Sequence, residues 1–292
     1  MKIWLNNELD NLEGQFGIVA KNDKNRISTH YDNFEWWQRG KEERKLKRKV
    51  EEGNVDEVYL YRYISISKFW QIISSQKINL LNPGLWKDPL ESPFFNAKIK
   101  INGKYQETPF KNRFFAQCFT LNDSSESMWK TYGTGEKLIR LKIKVGAIKK
   151  LIEENHSEFD SSKFYLGRVV YLNFEDIQYL FQERYLFQKA YKLTHIEDQV
   201  KTLLVKRYAY SFEKEVRLIF DGHEHFNGVE KKPEAIELNI SNLGQLISEI
   251  LLDPDLSNHE TNFYKKAWNF VPAHQIKKCN LYSKKEYQLK LS

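Results

Sequence analysis

The sequence predicts an α+β fold, with a mixed and mostly antiparallel β-sheet flanked by helices. Three observations predict it. Short runs rich in β-formers, such as Val58–Tyr63 and Lys137–Val145, are interspersed with amphipathic segments of helical period, such as Ile66–Ser75. Arg113–Thr120 is almost continuously apolar, as a strand buried on both faces should be. Aromatic residues make up 14% of the chain and recur along its whole length, enough for a sizeable core without disulfide or metal staples.

Residues 1–55 read as an N-terminal extension and 56–292 as the main domain. Within the extension Asn33–Glu52 is a helix candidate closed by Gly53. Its middle, Arg39–Lys49, holds seven Lys/Arg against two Glu beside Trp36 and Trp37. The two indoles are either a stacking platform for nucleic acid or an anchor docking a solvated helix. The main domain opens on the strand Val58–Tyr63, whose Tyr59, Tyr61 and Tyr63 share one side while Leu60, Arg62 and Ile64 share the other. Ser65 can cap the helix Ile66–Ser75, which leads to a strand at Lys77–Leu81. Asn82–Pro93 carries three prolines and a glycine, so it is a rigid loop and a wall for a pocket through Trp86, Asp88 and Glu91.

After Arg113–Thr120, the turn Leu121–Glu126 offers caps for a short helix, Ser127–Tyr132, with Trp129 and Tyr132 on one face. A strand over 137–145, a helix over 146–158, a strand over 164–172 and a long helical region over 174–206 follow. Next comes a strand over 212–220, then the order strand 235–240, helix 242–247, strand 247–252, helix 258–268 and strand 276–282. Gly133-Thr-Gly135 has neither the spacing of a dinucleotide-binding turn nor that of a P-loop.

Composition narrows the functional classes. Cys118 and Cys279 sit in no metal or redox spacing, which predicts reduced thiols and a cytoplasmic protein. The first ten residues lack the apolar core of a signal peptide, and no run approaches the ~20 apolar residues of a membrane span. The net charge of +7 and pI of about 9 favour acidic partners such as nucleic acid or nucleotide phosphates. Cys118 lies in an apolar strand, where a thiol is inert, and no hydrolase or zinc-protease motif occurs. His223 and His225 fall in a polar loop without further ligands in view, so no metal is expected there.

The stretch that concentrates chemistry is Tyr208–Phe220. Read as a strand, it places Glu213, Glu215, Arg217 and Ile219 on one face and Phe212, Lys214, Val216, Leu218 and Phe220 on the other. Residues two apart on a strand are about 6.6 Å apart, so the two carboxylates and the guanidinium feel one another. Two readings stand at this point: a site, or an exposed strand with a solvated Glu/Arg ladder.

Five short motifs carry a resemblance. Tyr61-Arg62-Tyr63, Lys87-Asp88-Pro-Leu-Glu91, Cys118-Phe-Thr120, Met128-Trp129-x-x-Tyr132 and Glu213-x-Glu215-x-Arg217, in that order, resemble a widespread uncharacterised bacterial family of domains of unknown function, over about Tyr59 to Lys290. That layout looks like the ADP-ribosyltransferase superfamily, in which an early strand gives Arg or His, a middle strand Ser or Thr and a late strand Glu. The resemblance implies an ADP-ribosyltransferase-like split β-sheet and NAD as substrate, with no metal. It puts Glu215 under the ribose and Glu213 beside it to activate the acceptor. Arg62 would fork onto the diphosphate, and Tyr61, Trp129 and Tyr132 would stack on nicotinamide or adenine. Tyr63, Asp88, Glu91 and Arg217 would complete the pocket, and Thr120 would hold the ribose or turn the strand. Arg217 would either orient Glu215 or neutralise it. The implied acceptor is nucleic acid, including single-stranded RNA or DNA, or protein. The implied setting is a bacterial toxin of phage defence or a toxin–antitoxin system, with an antitoxin as partner. Two other classes stand beside this reading: a non-enzymatic nucleic-acid or nucleotide-binding domain, and a metal-dependent nuclease built on Asp88, Glu91, Glu213 and Glu215.

Overall fold

A computed structural model describes residues 1–4, 54–86, 91–93, 95, 97–101, 103–108, 112–133, 135–175, 177–178, 196–230 and 232–282. In chain order these form β1 (Lys2–Trp4), β2 (Tyr59–Ser65), α1 (Ile66–Ser75), β3 (Lys77–Leu81), β4 (Lys98–Ile101), β5 (Lys104–Glu107), β6 (Phe114–Thr120), α2 (Glu126–Tyr132), β7 (Leu138–Lys144) and α3 (Val145–Glu154). They continue as β8 (Phe164–Arg168), β9 (Val170–Leu172), α4 (Ile196–Lys201), β10 (Val205–Arg207), β11 (Glu215–Asp221), β12 (Ala235–Asn239), α5 (Leu243–Leu246), β13 (Ile247–Leu252), α6 (Asn258–Ala267) and β14 (Ile276–Lys278). The Trp36–Trp37 helix expected in the extension, and Asp88 in the proline loop, lie outside the described residues.

Ten strands form one mixed, mostly antiparallel open sheet in the order β1-β8-β11-β6-β2-β7-β13-β14, with β3 and β12 branching from β6. Only the outer pairs β1–β8 and β13–β14 within it are parallel. The join between its halves is narrow. β6 follows β11 for seven residues, and β2 follows β7 for seven, but β2 meets β6 at the single pair Tyr61–Thr120. From that pair the two strands part, and β6 next meets β3 at Ala116–Leu81. A cleft therefore opens between them, bordered by the ends of two well-paired strands.

Period two divides the strands between two cores. Val216, Leu218 and Phe220 of β11 join Leu60, Ile64, Leu141 and Ile143 in the larger one, which α1, α3 and Trp268 help to close. Ile219 faces a second core with Phe114, Ala116, Tyr165, Leu203 and Leu204. All seven residues of β11 are consequently buried. The face bearing Glu215 and Arg217 is covered by the 202–207 segment rather than by water. This overturns the solvated-ladder reading: Arg217 is 0% and Glu215 3% exposed.

Local chemistry accounts for several elements. Ser65 Oγ accepts from the amide of Lys68 and starts α1, and Gln76, in the left-handed region at φ 52°, stops it and turns the chain into β3. Ser257 and Glu260 form a reciprocal capping box at the start of α6. Gly103, at φ 82°, closes the β4–β5 hairpin, an element the sequence reading left out.

Three expectations are corrected. Tyr208–Glu213 is a 3-10 turn and not the first half of a strand, and Lys214 follows in the left-handed region at φ 44°. Lys214 and Phe212 therefore do not alternate with Val216; turn contacts described below override their β-forming pattern. Of the helical region expected over 174–206, α4 ends at Lys201, and after a 3-10 turn Val205–Arg207 is a strand. The single strand over 164–172 is two, β8 in the main sheet and β9 paired in parallel with β10. Among the described residues no helix is long and apolar enough to cross a membrane.

The ring of Phe220 lies 4.7 Å from Phe164 and 5.2 Å from Phe159, with all three buried. Phe220→Ala should lower the unfolding free energy by about 3–5 kcal/mol, the usual loss for a core aromatic. Leu85→Ala, at a side chain 52% exposed, should change it by about 0.5 kcal/mol or less. Urea titration followed by tryptophan fluorescence measures both.

Candidate active site

The cleft between β2 and β6 is a pocket of about 520 Å³, within the ~300–1,000 Å³ range of small-molecule sites. Tyr61, Arg62 and Tyr63 line it from β2, and Cys118 and Thr120 from β6. Tyr132, Glu213 and Glu215 close one end, while Ser65, Lys68 and Glu136 stand at another part of the wall. Seven of the residues expected at a site thus share one cavity: Tyr61, Arg62, Tyr63, Thr120, Tyr132, Glu213 and Glu215. Trp129 does not line it. Its indole packs edge-on behind Tyr63 at 5.0 Å, so it braces the pocket wall.

Turn chemistry brings Glu213 in. Thr120, which pairs with Tyr61 on one side and Glu215 on the other, donates its hydroxyl to the carbonyl of Glu213 and accepts from the amide of Asn122. The Asn122 side chain donates to the carbonyl of Phe212. These bonds hold the 3-10 turn against the end of β6. The left-handed Lys214 then swings the chain so that Glu213 and Glu215 reach the same end of the pocket. Thr120 acts as the pin of this turn, its hydroxyl already engaged.

Behind the pocket lies a buried charge cluster. Arg217 uses all five of its N–H donors: Nε on Glu215 Oε1 at 2.7 Å, one terminal nitrogen on Ser92 Oγ at 2.6 Å and on the carbonyl of Leu203, the other on Glu91 Oε1 at 2.9 Å and Glu215 Oε2 at 3.1 Å. Its guanidinium stacks on Trp86 at 4.3 Å, and Gly167, opposite it on β8, adds no side chain there. Lys206 points its ammonium at three carboxylates, Glu213 at 2.6 Å, Glu215 at 3.1 Å and Glu91 at 3.3 Å. Lys206 and Ser92 were missed by sequence reasoning. The available signal was a lysine closing the apolar run Leu203–Val205, in a segment whose apolar spacing suits a helix as well as a strand.

The electrostatics follow from this wiring. Burial pushes the Glu215 carboxyl upward, but Arg217 and Lys206 together outweigh it and bring it down to about 2. Glu213 is displaced upward, chiefly by burial, with Lys206 and the Tyr132 hydroxyl at 3.1 Å opposing. Burial drives the Cys118 thiol well up, and the Glu215 carboxylate beside it adds to this, as expected of an inert thiol. At this end of the pocket Glu213 and Glu215 face Lys206 and Arg217, two cations that Glu91 shares from behind the wall. Across the cleft Arg62 is half-buried, its burial lowering it to about 10. Arg217 occupies the place beside Glu215 and Glu91 that Arg62 would take as a structural ion-pair partner. The Arg62 backbone pairs with Leu141 in the ladder, and among the described residues its side chain forms no ion pair or hydrogen bond.

Among the described residues no three His, Cys, Asp or Glu side chains are arranged to hold a metal ion. His225 instead packs its ring on Phe159 and Phe226 at 5.0 and 4.5 Å.

Arg217→Met strands two carboxylates, so it should destabilise the fold by about 3–5 kcal/mol. Arg217→Lys should recover little of this, because an ammonium has three donors where five are used. The pH dependence has a defined sign. Unfolded Glu215 takes up a proton near 4.5 while the folded group holds out to about 2, so its contribution is full above 4.5 and lost as pH falls through that window. Glu213 has the opposite sign, its contribution present below 4.5 and lost as pH rises through its raised folded value. Urea unfolding of wild type and Glu215→Gln between pH 7 and 2.5 should show a larger acid-side loss in wild type than in the variant, which keeps only the share of other lowered carboxylates such as Glu249 and Glu260.

No curated protein matches the chain. Residues 128–218, which carry Tyr132, Lys206, Glu213, Glu215 and Arg217, match the model of a family described as Protein of unknown function (DUF2971).

Proposed function

We propose that the chain is an NAD-dependent ADP-ribosyltransferase acting in the cleft between β2 and β6 on a nucleic-acid or protein acceptor. The observation that carries this reading is the pairing across one pocket of Arg62, whose guanidinium has no ion pair or hydrogen bond among the described residues, with the two carboxylates Glu213 and Glu215. A diphosphate suits the first, since a guanidinium forks onto phosphate oxygens. A ribose that gains positive charge as its bond to nicotinamide breaks suits the second.

The residues divide the work. Arg217 and Lys206 hold Glu215 ionised and oriented, so its negative charge is preset where the ribose charge develops. Glu213, raised by burial, is the group ready to take the proton from the acceptor hydroxyl or amine as that atom bonds to the ribose carbon and nicotinamide departs. Tyr61, Tyr63 and Tyr132 offer rings for the two bases of the dinucleotide. A nuclease centred on Glu91, Glu213 and Glu215 is less well supported, because those carboxylates already face Lys206 and Arg217 where a divalent ion would have to sit.

A second reading has its own observation. Both oxygens of Glu215 are taken by Arg217 and Lys206, and a carboxylate so neutralised suits a pocket that binds a nucleotide without cleaving it. Nicotinamide release from labelled NAD separates the two. The transferase reading expects release, reduced about 100-fold or more in kcat by Glu215→Gln. Arg62→Gln should raise the KM for NAD roughly tenfold or more, with a smaller change in kcat, for loss of a charge-assisted contact. NAD binding by calorimetry with no release, in a folded wild type, would leave the binding pocket as the answer.

A further inference from the structure

We propose that the outer face of β2 and β7 docks a single strand of nucleic acid and delivers it to the mouth of the pocket. This rests on the transferase reading and names its acceptor. The face follows from strand register. Tyr59 lies opposite Lys144, Tyr61 opposite Lys142 and Tyr63 opposite Arg140, and period two puts all six on one side. The alternate residues, Leu60, Ile64, Leu141 and Ile143, fill the large core on the other side.

Aromatic and basic groups interleave on this face. Lys142 Nζ sits 4.2 Å from the centre of the Tyr59 ring, Lys144 5.6 Å from the same ring, and the Arg140 guanidinium 4.7 Å from Tyr61. Tyr59, Tyr61, Lys142 and Lys144 are all part-exposed. The charge is not cancelled on the spot. Glu249 takes Arg140 and Lys277, and Glu57 takes Lys144, which leaves Lys142 without an ion pair among the described residues. The Lys144–Glu57 pair is solvent-exposed, and such pairs yield readily to a phosphate.

Part-exposed rings beside lysines at the Tyr59–Tyr61 end of this face, beyond the buried Tyr63 and Arg140, suit a single strand, whose bases can stack while its phosphates meet ammonium groups. A paired duplex keeps its bases stacked on one another and offers these tyrosines nothing. Continuity with the pocket supplies the functional link. Tyr61 and Tyr63 belong to the basic face and also line the cleft, and Tyr63 is braced by Trp129. A strand lying on Tyr59 and Tyr61 therefore has its next nucleotide at the cleft, near Glu213.

Fluorescence anisotropy with a labelled mixed-sequence oligonucleotide of about 16 nucleotides tests the face, as RNA, DNA and DNA duplex, over a salt series. No NAD is present, so the result stands apart from catalysis. Wild type should bind the single strands more tightly than the duplex. The double variant Lys142→Gln/Lys144→Gln should bind roughly tenfold or more weakly, with its salt slope reduced by about 1.4 for two phosphate contacts. Tyr59→Leu should weaken single-strand binding, with thermal unfolding confirming its fold. A control pair on other surfaces, Lys77→Gln/Lys163→Gln, should leave affinity within about twofold. No binding by wild type, equal loss in the control pair, or a preference for duplex would overturn the proposal. Transfer of label from NAD to protein without binding of nucleic acid would reject this face and keep the transferase. Binding through Lys142 and Lys144 with no nicotinamide release would do the reverse.

Discussion

A guanidinium with no access to water must find an acceptor for every donor, and in this protein that requirement organises the site. Arg217 sits in the middle of β11, and its five bonds reach Glu215 on its own strand, Glu91 and Ser92 in the proline-rich loop, and the backbone of Leu203. Each contact fixes a segment that would otherwise be loosely placed, because an unpaired charge in a core costs several kcal/mol. Lys206 repeats the logic from β10, its ammonium shared by three carboxylates. The cluster thus fastens the 91–92 loop and the 203–206 segment onto the sheet. It also fixes where Glu213 and Glu215 point.

The same wiring gives two similar residues different characters. Glu215 is surrounded by cations and stays ionised well into acid, whereas Glu213 has one cation, one phenol and more burial than compensation, so it is raised. Two carboxyl groups with opposite shifts at one end of a pocket are a standard arrangement for dividing charge stabilisation from proton transfer. Arg217, by its bidentate hold, orients Glu215 and partly neutralises it at once.

The pocket exists because the sheet is not continuous. β2 and β6 touch at one register pair and then separate, and the cleft exposes side chains from both faces of β2, which is why Arg62 and Tyr63 reach one cavity although they alternate along the strand. Thr120 stands at the join. By pinning the 208–213 turn it ties the opening of the sheet to the placement of Glu213.

Much of this was legible in the chain alone. Period two put Leu60 and Ile64 on one side of their strand and Val216, Leu218 and Phe220 on one side of theirs, because a strand's alternation is fixed by backbone geometry whatever it packs against. Ser65 as a helix cap and the apolar 113–120 strand were likewise legible from local chemistry, whereas a common site for Tyr61, Arg62, Thr120, Tyr132, Glu213 and Glu215 was an expectation drawn from the resemblance carried by motif order. Tertiary structure decided the rest. Tyr208–Glu213 has the composition of a strand, but the hydroxyl of Thr120 and the amide of Asn122, ninety residues away, stabilise a turn instead. Lys206 sits in a run that reads equally as helix or strand, and only the three carboxylates meeting it from distant segments give it a role. Whether Glu213, Glu215 and Arg217 faced water or the interior depended on a second layer covering β11, a contact between parts of the chain that no local pattern encodes.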